Sequence, residues 1–355
     1  MAEQQTSSQQ KATPCNKLGY EQASYKGAFS TLCAGCGHDS ITAQLVRVLW
    51  EMNIDPYSIA KISGIGCSSK TTAYFGNLSH GFNGVHGRAA ALATGSYLAN
   101  RTLLHVVVSG DGDTASIGLG NFLHAIRRNV PLVYVIENNG VYGLTKGQFS
   151  ATADKGSTLK SGAVNMQPPI DCCALAIEMG CEYVARSFSG DVKQLVALLK
   201  GAIAHRGMAV IDVISPCVTF NNHEGSTKSL KYARTHETPL HEIGFVPACE
   251  EIRIDDFEPG SVREITLHDG SRLLLKKLDR DYDPTDKLAA LKMLHEAQHD
   301  GLFITGLLYN APHASPAFGD QLEMVDEPLA ALPDALLRPG ENALGELMRS
   351  LSLQE

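Results

Sequence analysis

Sequence features that would direct a chain into or onto a membrane are missing from these 355 residues. No run of about 18 apolar residues occurs, so no segment is predicted to span a bilayer. The first residues have neither a basic start nor the apolar stretch of an export signal. No long basic run occurs, and the net charge of −8 argues against nucleic acids and anionic membranes as partners. We therefore expect a cytoplasmic protein with no nucleic-acid or membrane partner.

Disulfide bonds are not expected either, because nine cysteines are an odd number and no export signal is present. The closely spaced Cys-x-x-Cys pairs of bacterial ferredoxins are also missing. Four cysteines nevertheless stand in loops flanked by Gly, Ser or Pro: Cys33, Cys36, Cys67 and Cys217. Such a set can hold an iron–sulfur cluster or a tetrahedral zinc ion, or can be four buried thiols, and residue chemistry alone leaves all three open. The other cysteines match no ligand position, and Cys172, Cys173 and Cys181 are predicted to pack in the core.

The most informative stretch is Ser-Gly-Asp-Gly-Asp at residues 109–113, which is followed by Glu-Asn-Asn-Gly-Val-Tyr at residues 137–142. An apolar, β-branched run leads into each stretch, at residues 103–108 and 131–136. Apolar residues between the two stretches fall at helical spacing. The segment is therefore predicted to run strand, Gly-rich turn, helix, strand. Both polar clusters then lie at the carboxyl ends of parallel strands, where ligands bind.

The residue types of these two clusters suit a diphosphate bound together with a divalent cation. Gly110 and Gly112 let the backbone approach phosphate oxygens, and the helix N-terminus that follows presents free N–H groups. Asp111 and Asn139 carry the hard oxygen ligands that Mg²⁺ prefers. The alternative is a pair of turns that bind nothing. Because both clusters lie at strand ends, the ligand site is favoured over this alternative.

A Gly-Asp-Gly triplet followed at this distance by Asn-Asn is similar to the thiamine-diphosphate motif. That resemblance implies that Asp111, Asn139 and the backbone carbonyl of Val141 hold Mg²⁺. Four further segments resemble the β subunit of 2-oxoacid:ferredoxin oxidoreductases, the family that includes the 2-oxoglutarate and pyruvate synthases. They are residues 32–38, 64–69, 86–88 and 215–217, and the resemblance spans about residues 25–235.

The family resemblance also implies roles for single residues. Cys33, Cys36, Cys67 and Cys217 match the ligands of one 4Fe-4S cluster. His38 is expected beside the cofactor diphosphate, the alternative being a structural hydrogen bond. His86 and Arg88 are expected either at the cofactor or in domain packing.

Two positions, Lys70 and Leu144, resemble positions that line the substrate pocket in this family. A lysine there could meet the second carboxylate of 2-oxoglutarate, which pyruvate lacks. The alternative is that Lys70 offsets the negative charge of a four-thiolate cluster or faces solvent.

The resemblance implies a reversible reaction in which a 2-oxoacid, coenzyme A and oxidised ferredoxin give acyl-CoA, CO₂ and reduced ferredoxin. The expected 2-oxoacid is 2-oxoglutarate, with pyruvate or another 2-oxoacid as alternatives. An α subunit is expected to carry the pyrimidine-binding domain and the activating glutamate, so no catalytic residue is assigned to this chain. Two functions of other classes stay open: a non-oxidative thiamine-diphosphate enzyme subunit with structural zinc, and a non-catalytic electron-transfer or scaffold subunit.

The expected fold is α/β, a parallel sheet with helices on both faces, in the diphosphate-type domain of the thiamine-diphosphate-binding fold, plus a C-terminal extension. Residues 1–20 are predicted as a flexible arm, residues 21–235 as the domain that binds thiamine diphosphate and the cluster, and residues 236–355 as an extension made of a hairpin, a helix and a wrapping tail. The long loop at residues 143–164 is a candidate functional loop. The Ala89 to Leu98 helix and the proline-rich tail are candidate surfaces for the partner subunit.

Overall fold

The computed structural model of the protein describes residues 14–159, 162–219, 252–266, 272–338, 340 and 342–352. Three expectations therefore lie outside the described residues. They are most of the N-terminal arm, the domain boundary at residue 235, and the hairpin turn predicted at Asp269 and Gly270.

Residues just before the predicted domain boundary at residue 21 already contact the main domain. The Asn16 side chain donates to the Tyr25 hydroxyl at 2.9 Å. The Trp50 indole N–H donates to the carbonyl of Tyr20 at 2.9 Å. The end of the predicted arm is therefore hydrogen-bonded to the first helix of the domain.

In the described part of the chain, nine strands form one large sheet, and two short strands form a separate hairpin. The strands are β1 (Ile59–Ser63), β2 (His80–Asn83), β3 (Leu104–Gly110), β4 (Val133–Asn138), β5 (Val141–Tyr142), β6 (Gln148–Phe149), β7 (Tyr183–Phe188), β8 (Ala209–Ile214), β9 (Val262–Thr266), β10 (Arg272–Lys277) and β11 (Phe303–Asn310). The large sheet has the order β2-β1-β3-β4-β8-β7-β11-β10-β9. Its first six strands are all parallel, while β11 runs antiparallel to β7.

Helices cover both faces of this sheet, as expected. They are α1 (Gly37–Glu51), α2 (Thr71–Tyr74), α3 (Ala89–Ala99), α4 (Leu119–Arg127), α5 (Cys172–Glu178), α6 (Val192–Ala204), α7 (Lys287–His299), α8 (Phe318–Gln321), α9 (Asp334–Leu337) and α10 (Ala343–Ser352). Apolar residues of α1 and α6 pack on one face of the sheet, and those of α3, α4, α5 and α7 pack on the other. The central strands are buried on both sides, which explains their unbroken apolar runs.

Three helices begin where an aspartate caps them, in agreement with the sequence. Asp171 caps α5, Asp191 caps α6 and Asp286 caps α7, each through a side-chain oxygen that accepts from backbone N–H groups of the first turn. Asp39 and Ser40 are residue types that favour the N-cap position, so the sequence predicts that one of them caps α1. This prediction is wrong, because the helix already begins at Gly37 and has Cys36 at the N-cap position.

Tertiary contacts explain the early start of α1. A Cβ atom on Gly37 would lie 2.4 Å from the hydroxyl oxygen of Ser189 and 2.7 Å from that of Ser215. The first turn therefore presses against the loops that follow β7 and β8, and only glycine fits there. The Ser40 hydroxyl donates to the carbonyl of Ser189 at 2.9 Å instead of capping the helix.

The connection between β3 and α4 also differs from the expected Gly-rich turn. Asp111 directly follows the strand, and residues Gly112–Ile117 form a short π-helix before α4 begins. Such π-helical turns are rare and occur often at functional sites. The strand therefore passes directly into a helical turn without an intervening loop.

The part of the chain after residue 251 continues the sheet of the main domain. β11 pairs with β7, and β10 and β9 follow it outward. Short helices come next. The Arg101 guanidinium pairs with Asp320 of α8 and donates to the carbonyl of Met324, just after this helix, at 2.9 Å. Among the described residues, no helix is long and apolar enough to cross a membrane.

Candidate active site

The carboxyl ends of four neighbouring strands, β1, β3, β4 and β8, meet at one edge of the sheet. Gly110 pairs with Glu137, and Asn138 pairs with Ile214, so these parallel strands end level with one another. The chain leaves β1 toward β2 on one side and leaves β3 toward β4 on the other side. The gap between β1 and β3 is therefore a topological switch point. Crevices at such points are the usual ligand sites of open α/β sheets.

The loops at this edge enclose a cleft of about 440 Å³ that is partly open to solvent. Most of the predicted site residues line it. They are His38, Cys67, His86, Gly110, Asp111, Gly112, Asn139, Val141 and Leu144. Arg88, Lys70, Cys33, Cys36 and Cys217 are not part of its lining. Sequence positions more than 100 residues apart are thus brought together, as expected from their strand-end locations.

Asp111 lies at the floor of the cleft and is 2% exposed. Its Oδ2 accepts hydrogen bonds from the hydroxyls of Ser150 and Thr152, and its Oδ1 meets the backbone N–H of Asn139 at 3.4 Å. The Asn139 side-chain oxygen in turn accepts from the backbone N–H of Val141 at 3.0 Å. The three residues predicted to hold Mg²⁺ are therefore adjacent and are linked through the backbone N–H groups of Asn139 and Val141.

The donor set in this cleft suits Mg²⁺, because it offers a carboxylate, an amide oxygen and a backbone carbonyl. Mg²⁺ retains other ligands from a bound phosphate or from water, so few protein ligands suffice. The assignment of Asp111, Asn139 and Val141 as metal ligands stays a prediction.

Both glycines of the motif have no room for a side chain. A Cβ atom on Gly112 would lie 2.5 Å from the ring of Tyr142, whose hydroxyl donates to the Gly112 carbonyl at 3.0 Å. A Cβ atom on Gly110 would lie 2.9 Å from the hydroxyl oxygen of Ser68. Glycine is therefore required here by neighbouring side chains that line the same cleft.

Asp113 is a site residue that the sequence motif contained but that received no role. It is 3% exposed and lies two positions after Asp111. Its Oδ1 accepts from the backbone N–H of Gly87 at 2.7 Å and from that of Ile65 at 3.2 Å. Its Oδ2 accepts from the Ser109 hydroxyl at 2.9 Å. This one carboxylate therefore fixes the two loops that border the cleft on the β1 side.

Glu137 and His38 form a second buried group in the lining of the cleft, and Glu137 had no predicted role. The Nδ1 atom of His38 is 2.7 Å from the Ser215 hydroxyl and 3.6 Å from the Glu137 carboxylate. The Thr71 hydroxyl donates to the same carboxylate at 3.0 Å.

Burial controls the charge of both groups. It raises the pKa of the Glu137 carboxyl well above its usual value and lowers the pKa of His38 to about 4. His38 is therefore neutral at neutral pH, and its contact with Glu137 is not an ion pair. The structural hydrogen bond expected as the alternative for His38 is present, in addition to its place in the cleft lining.

The two other predicted cofactor residues occupy different surroundings. His86 lines the cleft and is exposed. Arg88 is also exposed, lies at the N-cap position of α3, and donates to the carbonyl of Gly87 at 3.2 Å. The structure therefore places His86 in the cleft and Arg88 at its border.

The four candidate ligand cysteines approach the cleft from three loops, because Cys33 and Cys36 share the loop before α1. A Cβ atom on Gly143 would lie 3.5 Å from the sulfur of Cys67 and 3.7 Å from that of Cys217. Burial raises the pKa of the Cys67 thiol to about 11, with Cys217 and Cys33 acting in the same direction. Cys217 likewise adds to the effect of burial in raising the pKa of Cys36. The four thiols are therefore close enough to influence one another.

The structure itself does not define a metal site at these cysteines. Among the described residues, no group of three or more His, Cys, Asp or Glu side chains is arranged to hold a metal ion. None of the eight described cysteines forms a disulfide. The donor chemistry still fits a cluster, since four thiols from Gly- and Ser-rich loops lie together and Gly143 brings no side chain between two of them. The cluster therefore stays a prediction.

Three further cysteines lie in the core, as the sequence predicts. Cys172, Cys173 and Cys181 are each at most 1% exposed and pack among the apolar residues of α5 and its neighbours. Their burial in apolar surroundings raises the pKa of each thiol above its usual value.

The two predicted substrate residues lie at the rim of the site. Leu144 lines the cleft and is 48% exposed. Lys70 is outside the lining, and its charge acts to lower the pKa of the Cys67 thiol, against the larger effect of burial. Its position is therefore compatible with the alternative that it offsets negative charge at the cysteines.

We expect Asp113→Ala to loosen the two loops that Asp113 holds. Each backbone N–H left without an acceptor costs about 1–3 kcal/mol, so amide hydrogen exchange at residues 64–66 and 85–88 should become faster. Asp113→Asn is the matched control, because it keeps Oδ1 and can donate from its amide to Ser109. Unchanged exchange in Asp113→Ala would show that other contacts hold these loops.

Comparison with known proteins gives this geometry a family. Residues 64–213 match the model of the thiamine pyrophosphate enzyme C-terminal TPP-binding domain. A 2-oxoacid:ferredoxin oxidoreductase subunit beta from Sulfolobus sp. is 42% identical over 201 residues, which cover 56% of this chain and 66% of that protein. The chain thus spans slightly less than two thirds of that relative's length. A 2-oxoglutarate synthase subunit KorB from Methanocaldococcus jannaschii is 38% identical over 191 residues, which cover 53% of this chain and 69% of that protein.

A solved structure agrees with these relatives over nearly the whole chain. It is a 2-oxoglutarate:ferredoxin oxidoreductase from Magnetococcus marinus with 2-oxoglutarate, coenzyme A and succinyl-CoA bound. The TM-score is 0.68 at 30% identity, and the match covers 95% of this chain and 96% of that one. Since the matched residues include the strand ends and loops that form the cleft, the chain belongs to the family of 2-oxoacid:ferredoxin oxidoreductase β subunits.

Proposed function

We propose that this chain is the subunit of a 2-oxoglutarate:ferredoxin oxidoreductase that holds thiamine diphosphate, Mg²⁺ and one 4Fe-4S cluster. The observation that carries the proposal is that Cys67 lines the same cleft as Asp111 and Asn139. An electron acceptor held by Cys67 would lie next to a cofactor held by the other two residues. An electron acceptor next to the cofactor favours an oxidative reaction over a non-oxidative one.

The names of the relatives support the choice of substrate. The Methanocaldococcus protein is a 2-oxoglutarate synthase subunit, and the Magnetococcus structure holds 2-oxoglutarate, coenzyme A and succinyl-CoA. The proposed reaction converts 2-oxoglutarate, coenzyme A and oxidised ferredoxin into succinyl-CoA, CO₂ and reduced ferredoxin, and is reversible. Pyruvate or another 2-oxoacid is the alternative substrate.

In this proposal the residues of the cleft have distinct tasks. Asp111, Asn139 and the Val141 carbonyl hold Mg²⁺, while Gly110 and Gly112 let the backbone approach the diphosphate. Bound thiamine diphosphate would supply the chemistry that splits the bond between the keto carbon and the carboxylate. The loops that Asp113 fixes keep His86 and Cys67 at the rim of the cleft.

The cysteines have the second task, electron transfer. Cys33, Cys36, Cys67 and Cys217 would supply the four thiolates of one cluster, and a bound cluster would supply one-electron transfer between the cleft and an external ferredoxin. The thiols must lose their protons to bind iron, so cluster assembly releases protons.

A partner subunit completes the proposed enzyme. The described residues form one large sheet with the cleft at its edge, and the pyrimidine-binding domain and the activating glutamate are assigned to an α subunit. Two apolar side chains at the cleft are exposed, Leu144 in its lining at 48% and Val85, next to His86 in the chain, at 69%. Exposed apolar side chains beside a site are typical of a surface that another subunit covers. We place the assembled enzyme in the cytoplasm.

The first test is the loss of cofactor binding in Asp111→Ala. A tagged copy of the full chain is purified from its host together with its partner subunit, and Mg²⁺-dependent binding of thiamine diphosphate is measured by calorimetry. We expect binding to be lost while the far-ultraviolet circular dichroism is unchanged. Asp300→Ala, at the exposed end of α7, is the control. Normal affinity in Asp111→Ala would remove Asp111 from the site.

The second test is metal content after anaerobic purification. We expect a brown protein with about four iron and four sulfide per chain, and a colourless Cys67→Ala variant, because a missing thiolate destabilises a four-thiolate cluster. Cys181→Ala, which changes a buried core thiol, should remain brown. A colourless wild-type protein with one zinc per chain would support the non-oxidative alternative with structural zinc.

The third test concerns substrate choice at Lys70. If its ammonium group meets the second carboxylate of 2-oxoglutarate, Lys70→Met should lower turnover of 2-oxoglutarate about a hundredfold and leave pyruvate turnover nearly unchanged. An equal loss for both substrates would instead favour the alternative that Lys70 offsets negative charge at the cysteines, which its lowering effect on the pKa of the Cys67 thiol supports.

A further inference from the structure

The loop that follows the β5–β6 hairpin reaches back to the floor of the cleft. It brings the hydroxyls of Ser150 and Thr152 to one oxygen of Asp111, Oδ2, and the Thr152 contact is 2.5 Å long. Ser150 is 6% exposed, so its contact lies away from solvent. These residues lie 39 and 41 positions after Asp111 and received no role from the sequence.

Counting protons shows what these contacts do to the carboxylate. Each hydroxyl has one proton to donate, and an ionised carboxylate is a stronger acceptor than a neutral oxygen. The contacts with Oδ2 are shorter than the 3.0 Å between the Thr152 hydroxyl and the side-chain oxygen of Asn138, so Oδ2 is the favoured acceptor of both protons. The other oxygen, Oδ1, meets the Asn139 N–H at the longer distance of 3.4 Å and faces the second predicted metal ligand.

We propose that Ser150 and Thr152 are positioning residues, which orient Asp111 so that Oδ1 is presented to the divalent cation. This inference rests on the proposed function, because it assumes that Asp111 is a ligand of Mg²⁺. Hydrogen-bond partners of this kind fix the orientation of a metal ligand, and their loss typically lowers metal affinity 10–100-fold.

A buried network lies behind Thr152. The side-chain oxygen of Asn138 is 3.0 Å from the Thr152 hydroxyl, and the Asn138 amide donates to Asp212 at 3.1 Å. The Arg186 guanidinium donates to Asp212 at 3.0 Å and to Asp171 at 2.7 Å. Arg186 and Asp212 are 5% and 1% exposed, so this charged group is paired in the interior. The network fixes Asn138 of β4 to β7 and β8, so Thr152 lies against a rigid part of the sheet.

The experiment measures divalent-cation affinity without turnover. The complex that contains the tagged full chain is titrated with Mn²⁺ in the presence of thiamine diphosphate, and free Mn²⁺ is followed by its paramagnetic signal. We expect Thr152→Val and Ser150→Ala each to weaken Mn²⁺ binding 10–100-fold. Thr152→Ser, which retains the hydroxyl, should stay within a few-fold of wild type. Ser157→Ala is the matched control in the same loop, since its hydroxyl donates to the carbonyl of Asp154 instead.

The melting temperature of each variant separates positioning from a purely structural role. A Thr152→Val protein that melts earlier but binds Mn²⁺ with wild-type affinity overturns the inference and leaves the proposed function intact. A wild-type complex that shows no Mn²⁺ binding dependent on thiamine diphosphate overturns both. Weaker binding in Thr152→Val, restored in Thr152→Ser at an unchanged melting temperature, supports the positioning role.

Discussion

The parallel register of β1, β3, β4 and β8 is the constraint on which the rest of the site depends. Side chains along a strand alternate between faces, so a slip by one residue would move every buried side chain to the other helix layer, where it would no longer fit its close-packed neighbours. The register is therefore fixed, and with it the level at which each strand ends. Most of the cleft lining is attached within a few residues of those ends, while His38 comes from α1 and His86 from the loop after β2. The packing of the core therefore determines the geometry of the site.

The two aspartates of one motif have different roles at the end of β3. Asp111 lies in the cleft floor, with its oxygens directed to Ser150, Thr152 and Asn139. Asp113 points away from it, into the β1 side, where it accepts two backbone N–H groups. The π-helical turn that begins at Gly112 sets this difference in direction. A single strand end thus supplies a candidate ligand and the anchor of the loops around it.

The part of the chain after residue 251 contributes to the same sheet. An edge strand exposes unpaired backbone groups, and β11 pairs with β7 and so covers that edge of the parallel part. The side of β7 next to β8 carries Arg186, whose ion pairs with Asp212 and Asp171 lie behind the cleft. Covering β7 from the outside helps to keep these charges buried, and they in turn hold Asn138. Distant strands therefore contribute to the rigidity of the site without contacting it.

Local patterns in the sequence determined much of this protein. The apolar runs before residues 109 and 137 determined two strands, and the Gly-Asp-Gly and Asn-Asn clusters lie at the ends of those strands. The aspartates at positions 171, 191 and 286 determined where three helices begin. Each of these features depends only on residues that are near one another in the sequence. Only the tertiary structure decided the early start of α1, the anchoring role of Asp113, the clamp of Ser150 and Thr152 on Asp111, and the pairing of β11 with β7. Those contacts join residues that are distant in sequence, where propensity and periodicity carry no information, and they form because the packed sheet brings the partners together.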